Sequence, residues 1–307
     1  MKKDALIEGL DRFFNQFSST RDLVDELIRR KSHPQEILLL LCSRIDALAS
    51  GSTSAEETSG NAFTSFVTTY SGRSKLFESV SVGDLYYELD YHLWLLPGMI
   101  EKAGRIQIFS RVNDPILKLL VDSEIALTLE EARRLLKRIQ LALRRTFRVA
   151  PGQSRNKSAL ASAAAIERAI LSGFGRRGNT QKTELGKALN PLLKTMTIAR
   201  ILYHRFRCGV IHGGKVRIDE AKFFTERVPY WRPLYSQYYG PFQLVELPAY
   251  FLAELFEECL QNYRKKLEAT RKVPPDVHFE MFPDDIFSHL ELLDHTLLPR
   301  VRTAVPK

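Results

Sequence analysis

The amino-acid sequence predicts an all-α protein. Apolar residues recur at a spacing of three to four positions over most of the chain, which is typical of amphipathic helices. Glycine, proline and Ser/Thr-rich breaks separate these periodic segments, as at residues 51–60 and at Gly213-Gly214. The hydrophobic content of 44% and the charged content of 26% are those of an ordinary globular protein.

Residues 1–72 are predicted to form the N-terminal helices. A helical apolar pattern extends over residues 5–30 and is interrupted at residues 18–20. The segment 35–50 is apolar on nearly all sides, so we expect a buried helix there. A further helix is expected at residues 61–70.

Residues 73–190 are predicted to be a helical insertion with its own organisation. Its most charged part is a strongly basic helix at residues 129–149. The other expected elements are an aromatic segment (85–96), a helix (115–123), an alanine-rich helix (158–171) and a basic glycine-containing loop (173–179).

Residues 191–272 are predicted to complete the helical bundle. We expect a helix from Pro191 to His212 that ends at Gly213-Gly214, because glycine tolerates the left-handed conformation of a helix C-terminus. An irregular or extended aromatic-rich connection (223–244) precedes the last long helix (248–267). Its aromatic rings are expected to be buried rather than to stack on bases. Residues 273–307 are expected to form a C-terminal tail.

Composition and patterning limit the class of protein. The net charge of +9 suits a polyanionic partner but does not identify one. Three widely spaced cysteines, an odd number, form no disulfide framework or zinc pattern and suggest reduced thiols in the cytoplasm. The N-terminus lacks the apolar core of a signal peptide, and the longest apolar run (37–42) is far shorter than the ~20 residues of a membrane helix. No membrane partner and no cofactor are expected.

Arg207 and His212, near the end of a predicted helix, are the main catalytic candidates. An arginine is a permanent planar phosphate ligand, and a histidine exchanges a proton near neutral pH, a combination that suits phosphodiester cleavage. Residues five apart lie about 140° around an α-helix, so one α-helix does not present both groups to one point. Unwinding at Gly209, or a two-fold dimer, would remove this difficulty. The alternative is a surface arginine and a histidine that caps helix carbonyls.

The secondary candidates are His204, Arg205 and Asp46. His204, Cys208 and His212 lie at helical spacing, which permits a zinc interpretation, but a fourth ligand is missing and no metal is expected. For Asp46, a structural contact with Arg44, Arg207 or a backbone amide is favoured over catalysis.

The basic helix is the candidate RNA-binding surface. Like charges at this density repel one another unless an anion is bound, and RNA backbone is the favoured anion. A solvated face paired with acidic groups elsewhere, an acidic protein partner and an anionic membrane surface remain alternatives. The candidate RNA-binding residues are Arg134, Lys137, Arg138, Arg144, Arg145 and Arg148.

The segment from Leu202 to His212, LYHRFRCGVIH, resembles the signature of the HEPN superfamily, in which a histidine follows an arginine after four to six residues. Residues 39–49 followed by 63–70 look like the first helical pair of such domains, and the segment from Pro248 looks like the closing helix. The resemblance covers roughly half of the chain, split around the insertion, and only the arginine–histidine element is specific.

The resemblance implies a HEPN-like bundle and a homodimeric, metal-independent endoribonuclease that leaves 2′,3′-cyclic phosphate ends on single-stranded RNA. Arg207 would stabilise the phosphate charge, and His212 would assist proton transfer or bind phosphate. It also suggests a regulated toxin or antiviral-defence effector with an antitoxin or companion subunit. That family often has Asn, Asp or His after the arginine, whereas this chain has Cys208. The alternatives are a non-catalytic HEPN-like subunit that binds RNA or nucleotide, and a helical adaptor that binds an acidic protein.

Overall fold

The computed structural model is mainly helical, as the sequence predicts. It describes residues 3–52, 58–95, 100–102, 105–107, 116, 119–120, 128–147, 160–174, 179–213, 216, 218–236, 240–272 and 274. The helical segments are α1 (Lys3–Asn15), α2 (Thr20–Arg29), α3 (Pro34–Ser50), α4 (Ser59–Tyr70), α5 (Ser74–Phe77), α6 (Val82–Leu95), α7 (Leu129–Phe147), α8 (Ala163–Gly173), α9 (Asn179–Thr195), α10 (Ile198–Ile201), a π-helical segment (Leu202–Cys208), α11 (Gly209–Gly213), α12 (Glu220–Thr225) and α13 (Ala249–Thr270). No helix among these residues is long and apolar enough to cross a membrane.

The strands are short and pair as antiparallel two-stranded ladders. They are β1 (Val80–Ser81) with β4 (Leu160–Ala161), β2 (Ile100–Lys102) with β3 (Arg105–Gln107), and β5 (Tyr230–Ser236) with β6 (Gly240–Glu246).

Buried apolar side chains form two clusters. The first combines α1 to α5 with the segments that follow Ile198, including α13. The second lies between Val80 and Leu193 and includes α6 to α9. The chain therefore leaves the first cluster after Phe77 and returns to it at Ile198. The division of the chain into four domains stays a prediction.

The predicted helix from Pro191 to His212 is wrong at its start. Pro191 lies inside α9, which begins at Asn179. Leu185, Leu189 and Leu192 bury one face of α9 on both sides of the proline, so packing outweighs the preference of proline for a helix start. The helix instead breaks between Thr195 and Ile198.

The aromatic-rich connection is largely extended, one of the two forms expected, and it begins with a short helix. It contains α12 and the β5–β6 hairpin, in which Trp231 pairs with Val245. Phe223 and Tyr230 are buried, which confirms burial for these two rings, and Phe224 and Trp231 are half-buried. The side chains of Tyr235, Tyr238, Tyr239 and Phe242 lie outside the described residues.

The remaining differences concern element boundaries and coverage. The basic helix ends at Phe147, and the alanine-rich helix begins at Ala163 after β4, with the Ser162 side chain accepting from the backbone N–H of Ala165. In the predicted segment 115–123 only Ile116, Leu119 and Leu120 are described, all helical and buried. The loop 175–178 and almost all of the predicted tail lie outside the described residues.

Candidate functional site

The predicted catalytic residues lie on one irregular helix, formed by α10, the π-helical segment and α11, which we call the site helix. Its first turn is fixed by the Thr197 side chain, which accepts a hydrogen bond from the backbone N–H of Arg200. Backbone hydrogen bonds from Ser81 to Met196 and from Ile198 to Ser79 attach this start to the turn before α6. The site helix then packs against α3 and α4.

Arg207 and His212 meet within one chain. Nη1 of Arg207 lies 3.5 Å from Nε2 of His212. A guanidinium only donates, so the imidazole nitrogen is the acceptor, and 3.5 Å makes the contact weak. Neither route expected from the sequence is needed to bring these two side chains together.

The local backbone differs from the single regular α-helix that was expected. Arg207 belongs to the π-helical segment, in which hydrogen bonds join residues five apart instead of four, whereas His212 belongs to the α-helical α11. The contact between the two side chains therefore spans the junction of two helical forms. Gly209 is helical, with φ −58° and ψ −41°, so the helix does not unwind there. A Cβ at Gly209 would lie 3.0 Å from Cγ2 of Val216, so the glycine allows a close approach of the chain after α11.

Asp46 of α3 holds Arg207 in place. Nη2 of Arg207 donates to Oδ2 of Asp46 over 2.7 Å, and the two side chains are 13% and 21% exposed. The guanidinium also lies over the ring of Tyr203, 5.2 Å from its centroid. Burial alone would lower the pKa of Arg207, but the hydrogen bond and charge of Asp46 outweigh it and raise this pKa. The contact between Asp46 and Arg207 is one of those favoured from the sequence.

Two cysteines border the Arg207 side chain. Sγ of Cys208 lies 3.8 Å from Nη1 of Arg207. Cys42 of α3 is fully buried, and burial together with the charge of Asp46 raises its pKa to about 12. The Cys42 thiol therefore stays neutral near pH 7 and does not compete with Asp46 for the arginine.

His204 and Arg200 extend the polar surface towards the start of the site helix. His204 is exposed, and its pKa is lowered by partial burial and by the charge of Arg200. Nη2 of Arg200 donates to Oδ1 of Asn61 in α4. Arg200 was not among the sequence candidates, although it lies seven residues before Arg207, which is two helical turns. No pattern in the sequence pointed to Asn61, because its contact joins residues far apart in the chain.

Arg205, another secondary candidate, makes a different contact. Its Nη1 pairs with Oδ1 of Asp84 in α6, and its Nε and Nη2 atoms are buried without a hydrogen-bond partner. Oδ2 of Asp84 accepts hydrogen bonds from the Ser81 hydroxyl and from the backbone N–H of Val245, the latter over 3.0 Å. The Arg205–Asp84 pair thus ties the site helix to α6 and β6.

Five of the six candidate RNA-binding residues lie on α7, which packs on α6 and α8. Arg134, Lys137, Arg144 and Arg145 are exposed, and Arg138 is half-buried. Arg134 pairs with Glu130, and Arg138 lies over the ring of Phe174 at 4.4 Å. Arg148 lies outside the described residues. The five described residues therefore form a basic surface on a helix of the second cluster.

The described part of the chain contains no metal centre but does contain one cleft away from the site helix. No group of three His, Cys, Asp or Glu side chains is arranged to hold a metal ion, so no metal is assigned to His204, Cys208 and His212. A cleft of about 460 Å³ lies between α8 and α9, lined by Glu167, Leu171, Lys182, Thr183, Gly186, Lys187 and Asn190. It contains none of the predicted site residues.

The site therefore consists of a partly buried arginine, an exposed histidine within contact distance of it and a carboxylate that orients the arginine. Such a group can bind one anionic oxygen and exchange one proton. Comparison with protein-family models, with curated proteins and with solved structures finds no match to this chain.

Proposed function

We propose that the chain is a metal-independent endoribonuclease of the HEPN type that cleaves single-stranded RNA. The observation that carries this proposal is the contact between Arg207 and His212, 3.5 Å apart within one chain. A guanidinium and an imidazole at this separation can contact the same phosphate group. The +9 charge and the exposed cations of α7 favour a polyanionic substrate.

In the proposed reaction the 2′-oxygen of the RNA attacks the adjacent phosphorus. A P–O2′ bond forms, the P–O5′ bond breaks, and a 2′,3′-cyclic phosphate and a 5′-hydroxyl result. The 2′-hydroxyl loses a proton and the 5′-oxygen gains one, and His212 assists this transfer. Arg207 donates to the non-bridging oxygens, on which negative charge develops. A phosphate oxygen would replace the weak contact between the two side chains.

Asp46 supports the proposed chemistry as a positioning residue. Its carboxylate fixes the Arg207 guanidinium through one strong charge-assisted hydrogen bond, 2.7 Å long. The Tyr203 ring limits its movement on another side. An arginine held in this way loses little side-chain entropy when a phosphate binds.

A homodimer is part of the proposal. Ile211, next to His212, is 37% exposed, and Leu39 of α3 is 45% exposed. The site helix packs against α3, so a second copy on this side would cover both apolar side chains and place two Arg207–His212 pairs near one RNA. In the cytoplasm such an enzyme requires control, and the proposed setting is a toxin or antiviral-defence system with an antitoxin or companion subunit.

The test is cleavage of mixed single-stranded RNAs by the full chain in EDTA. We expect EDTA-resistant cleavage that ends in 2′,3′-cyclic phosphates, no cleavage of an oligonucleotide with 2′-deoxyribose at every position, and loss of activity in Arg207→Ala and in His212→Ala. Arg12→Ala is the matched control, since Arg12 is an exposed arginine on α1 that pairs with Glu8 of its own helix. Equal cleavage by all four proteins would point to a contaminating nuclease and contradict the assignment.

A non-catalytic RNA-binding subunit is the second candidate. It is favoured by the pairing of Arg207 with Asp46, which partly neutralises the guanidinium, and by a cysteine rather than a polar residue after Arg207. This candidate predicts salt-sensitive RNA binding by the wild type without cleavage under any condition that supports binding.

A further inference from the structure

Arg200 differs from the other arginines of the site helix in its partner. Arg205 pairs with Asp84 and Arg207 pairs with Asp46. Arg200 donates to the neutral amide of Asn61, and within the described residues no carboxylate lies within ion-pair distance of it. Its positive charge is therefore oriented by a hydrogen bond but is not compensated by a neighbouring acid.

The Arg200 and Arg207 side chains are grouped around the same aromatic ring. A Cβ built on Gly60 would lie 2.9 Å from Cε1 of Tyr203 and 3.3 Å from Nη1 of Arg200. The Arg207 guanidinium lies 5.2 Å from the centroid of that ring. Six residues lie between the two arginines in the chain, which corresponds to a rise of about 10 Å along a helix, and both side chains lie near Tyr203.

His204 lies between these arginines in the sequence and is exposed. Partial burial and the charge of Arg200 lower the pKa of its imidazole. An anion bound between Arg200 and His204 would relieve this repulsion, because it interacts favourably with both groups.

We propose that Arg200, oriented by Asn61, and His204 form a second phosphate subsite that binds the RNA phosphate next to the one held by Arg207 and His212. This inference rests on the proposed function, because it names the part of the same RNA strand that flanks the reacting phosphate. A single strand carries one phosphate for each nucleotide, so a chain that places one phosphate at Arg207 brings the next one close by. The subsite would align the strand and select RNA of more than one phosphodiester.

The structure around Arg200 is built to keep the guanidinium on this side of the helix. Gly60 leaves no side chain between α4 and the Tyr203–Arg200 pair. The hydroxyl of Ser59 lies 2.9 Å from the Tyr203 hydroxyl, and the adjacent Asn61 accepts the Arg200 hydrogen bond. The first turn of α4 therefore holds two side chains of the site helix, Tyr203 and Arg200, in place.

The experiment measures binding of a non-cleavable 2′-O-methyl RNA oligonucleotide to the full chain at several salt concentrations. For single strands log K decreases as log salt increases, and this negative slope becomes shallower by about 0.7 for each phosphate contact that is lost. We expect Arg200→Gln to lower the slope by about that amount, Arg200→Lys to retain it, and His204→Gln to weaken binding. Arg12→Gln is the matched control and should leave the slope unchanged.

Substrate length supplies a second readout. A dinucleotide has one phosphodiester and cannot reach both subsites, whereas a longer strand can. We therefore expect Arg200→Gln to slow cleavage of a longer RNA by about tenfold and to leave cleavage of a dinucleotide nearly unchanged. Circular dichroism and thermal unfolding show whether the variant is folded.

The outcomes separate the two proposals. Cleavage by the wild type combined with an unchanged salt slope in Arg200→Gln overturns the subsite and keeps the nuclease. A reduced slope without any wild-type cleavage supports the subsite and overturns the nuclease. Absence of both RNA cleavage and salt-sensitive RNA binding in the wild type overturns both proposals. An equal loss of cleavage for dinucleotide and longer RNA overturns the subsite, because it assigns Arg200 to the reacting phosphate.

Discussion

Two arginines separated by one residue of the site helix enter different environments. Arg205 pairs with Asp84, whose two carboxylate oxygens are both occupied, by Arg205 on one side and by Ser81 and the Val245 backbone N–H on the other. Arg207 pairs with Asp46 through a single carboxylate oxygen and also contacts an exposed histidine. We call the first the anchor pair and the second the site pair.

The difference teaches that an ion pair alone does not mark a functional arginine. The anchor pair joins three elements around a buried carboxylate, so removing any partner leaves unsatisfied groups. The site pair leaves Asp46 21% exposed, and its arginine is next to a group that can move a proton. Arg207 itself is less exposed than Arg205, 13% against 26%, so the two pairs differ in the exposure of the carboxylate and in the neighbouring histidine.

The largest effect is expected for Asp84→Ala, which breaks the anchor pair. The substitution leaves Arg205 without its ion-pair partner and the Val245 N–H without its acceptor, so the free energy of unfolding should fall by about 3–5 kcal/mol. Urea unfolding followed by circular dichroism measures it. Glu8→Ala, which breaks an exposed pair with Arg12 inside α1, is the control and should cost about 0.3–0.5 kcal/mol. A loss below about 1 kcal/mol for Asp84→Ala would show that the anchor pair does not stabilise the fold.

The second prediction compares alanine substitutions at two glycines, Gly83 next to Asp84 of the anchor pair and Gly60 next to Tyr203 of the site helix. On the anchor side, a Cβ at Gly83 would lie 1.7 Å from the carbonyl oxygen of Gln243, so the backbone of β6 must move. On the site side, a Cβ at Gly60 would meet only side chains, the nearest being Tyr203 at 2.9 Å. We expect Gly83→Ala to cost about 3 kcal/mol or more and Gly60→Ala about 1–2 kcal/mol. The same unfolding measurement tests the order, and a larger loss for Gly60→Ala would contradict it.

The features of the fold that depend on local sequence pattern could be predicted. The helical class, the basic helix and the last long helix follow from apolar spacing and charge. A carboxylate on an apolar helix needs a partner, and Arg207 was one of the three partners expected for Asp46. Pro191 was wrongly predicted to begin a helix, because proline is favoured at helix starts. In the structure, leucines on both sides of Pro191 bury one face of the longer helix α9.

The unpredictable part depended on tertiary contacts and on helix irregularity. A regular α-helix was assumed between Arg207 and His212, and nothing in the sequence signals a π-helical turn. Arg200 could have been found by extending the helical spacing by two turns. The contacts of Arg200 with Asn61 and of Arg205 with Asp84 had no sequence pattern to indicate them, because each joins residues more than a hundred positions apart.

The third prediction disturbs the site pair alone, with Asp46→Asn. Removing the carboxylate charge beside Arg207 should strengthen binding of a non-cleavable RNA by a few-fold, about 1 kcal/mol or less. The loss of orientation should lower kcat by up to about a hundredfold. Asp11→Asn is the matched control, since Asp11 pairs with Arg264 between α1 and α13 at 2.5 Å. Weaker RNA binding in Asp46→Asn, with kcat unchanged, would show that Asp46 does not position Arg207.

The smallest effect concerns pH and the His204 imidazole beside Arg200. Partial burial and the Arg200 charge lower the pKa of His204 in the folded state, so between that lowered pKa and 6.5 the unfolded chain binds more protons than the folded one. The free energy of unfolding should therefore fall as the pH drops through this window, and it should fall less in His204→Gln.

A double-mutant cycle tests whether the charge of Arg200 contributes to the lowered pKa of His204. If it does, the difference in pH dependence between wild type and His204→Gln must narrow when both are compared in an Arg200→Gln background. Unfolding curves of the four proteins from pH 7.5 down to pH 5 provide this double-mutant cycle. An unchanged difference would mean that burial alone sets the pKa of His204, and the two cations would then not share the electrostatic field that a second phosphate is proposed to neutralise.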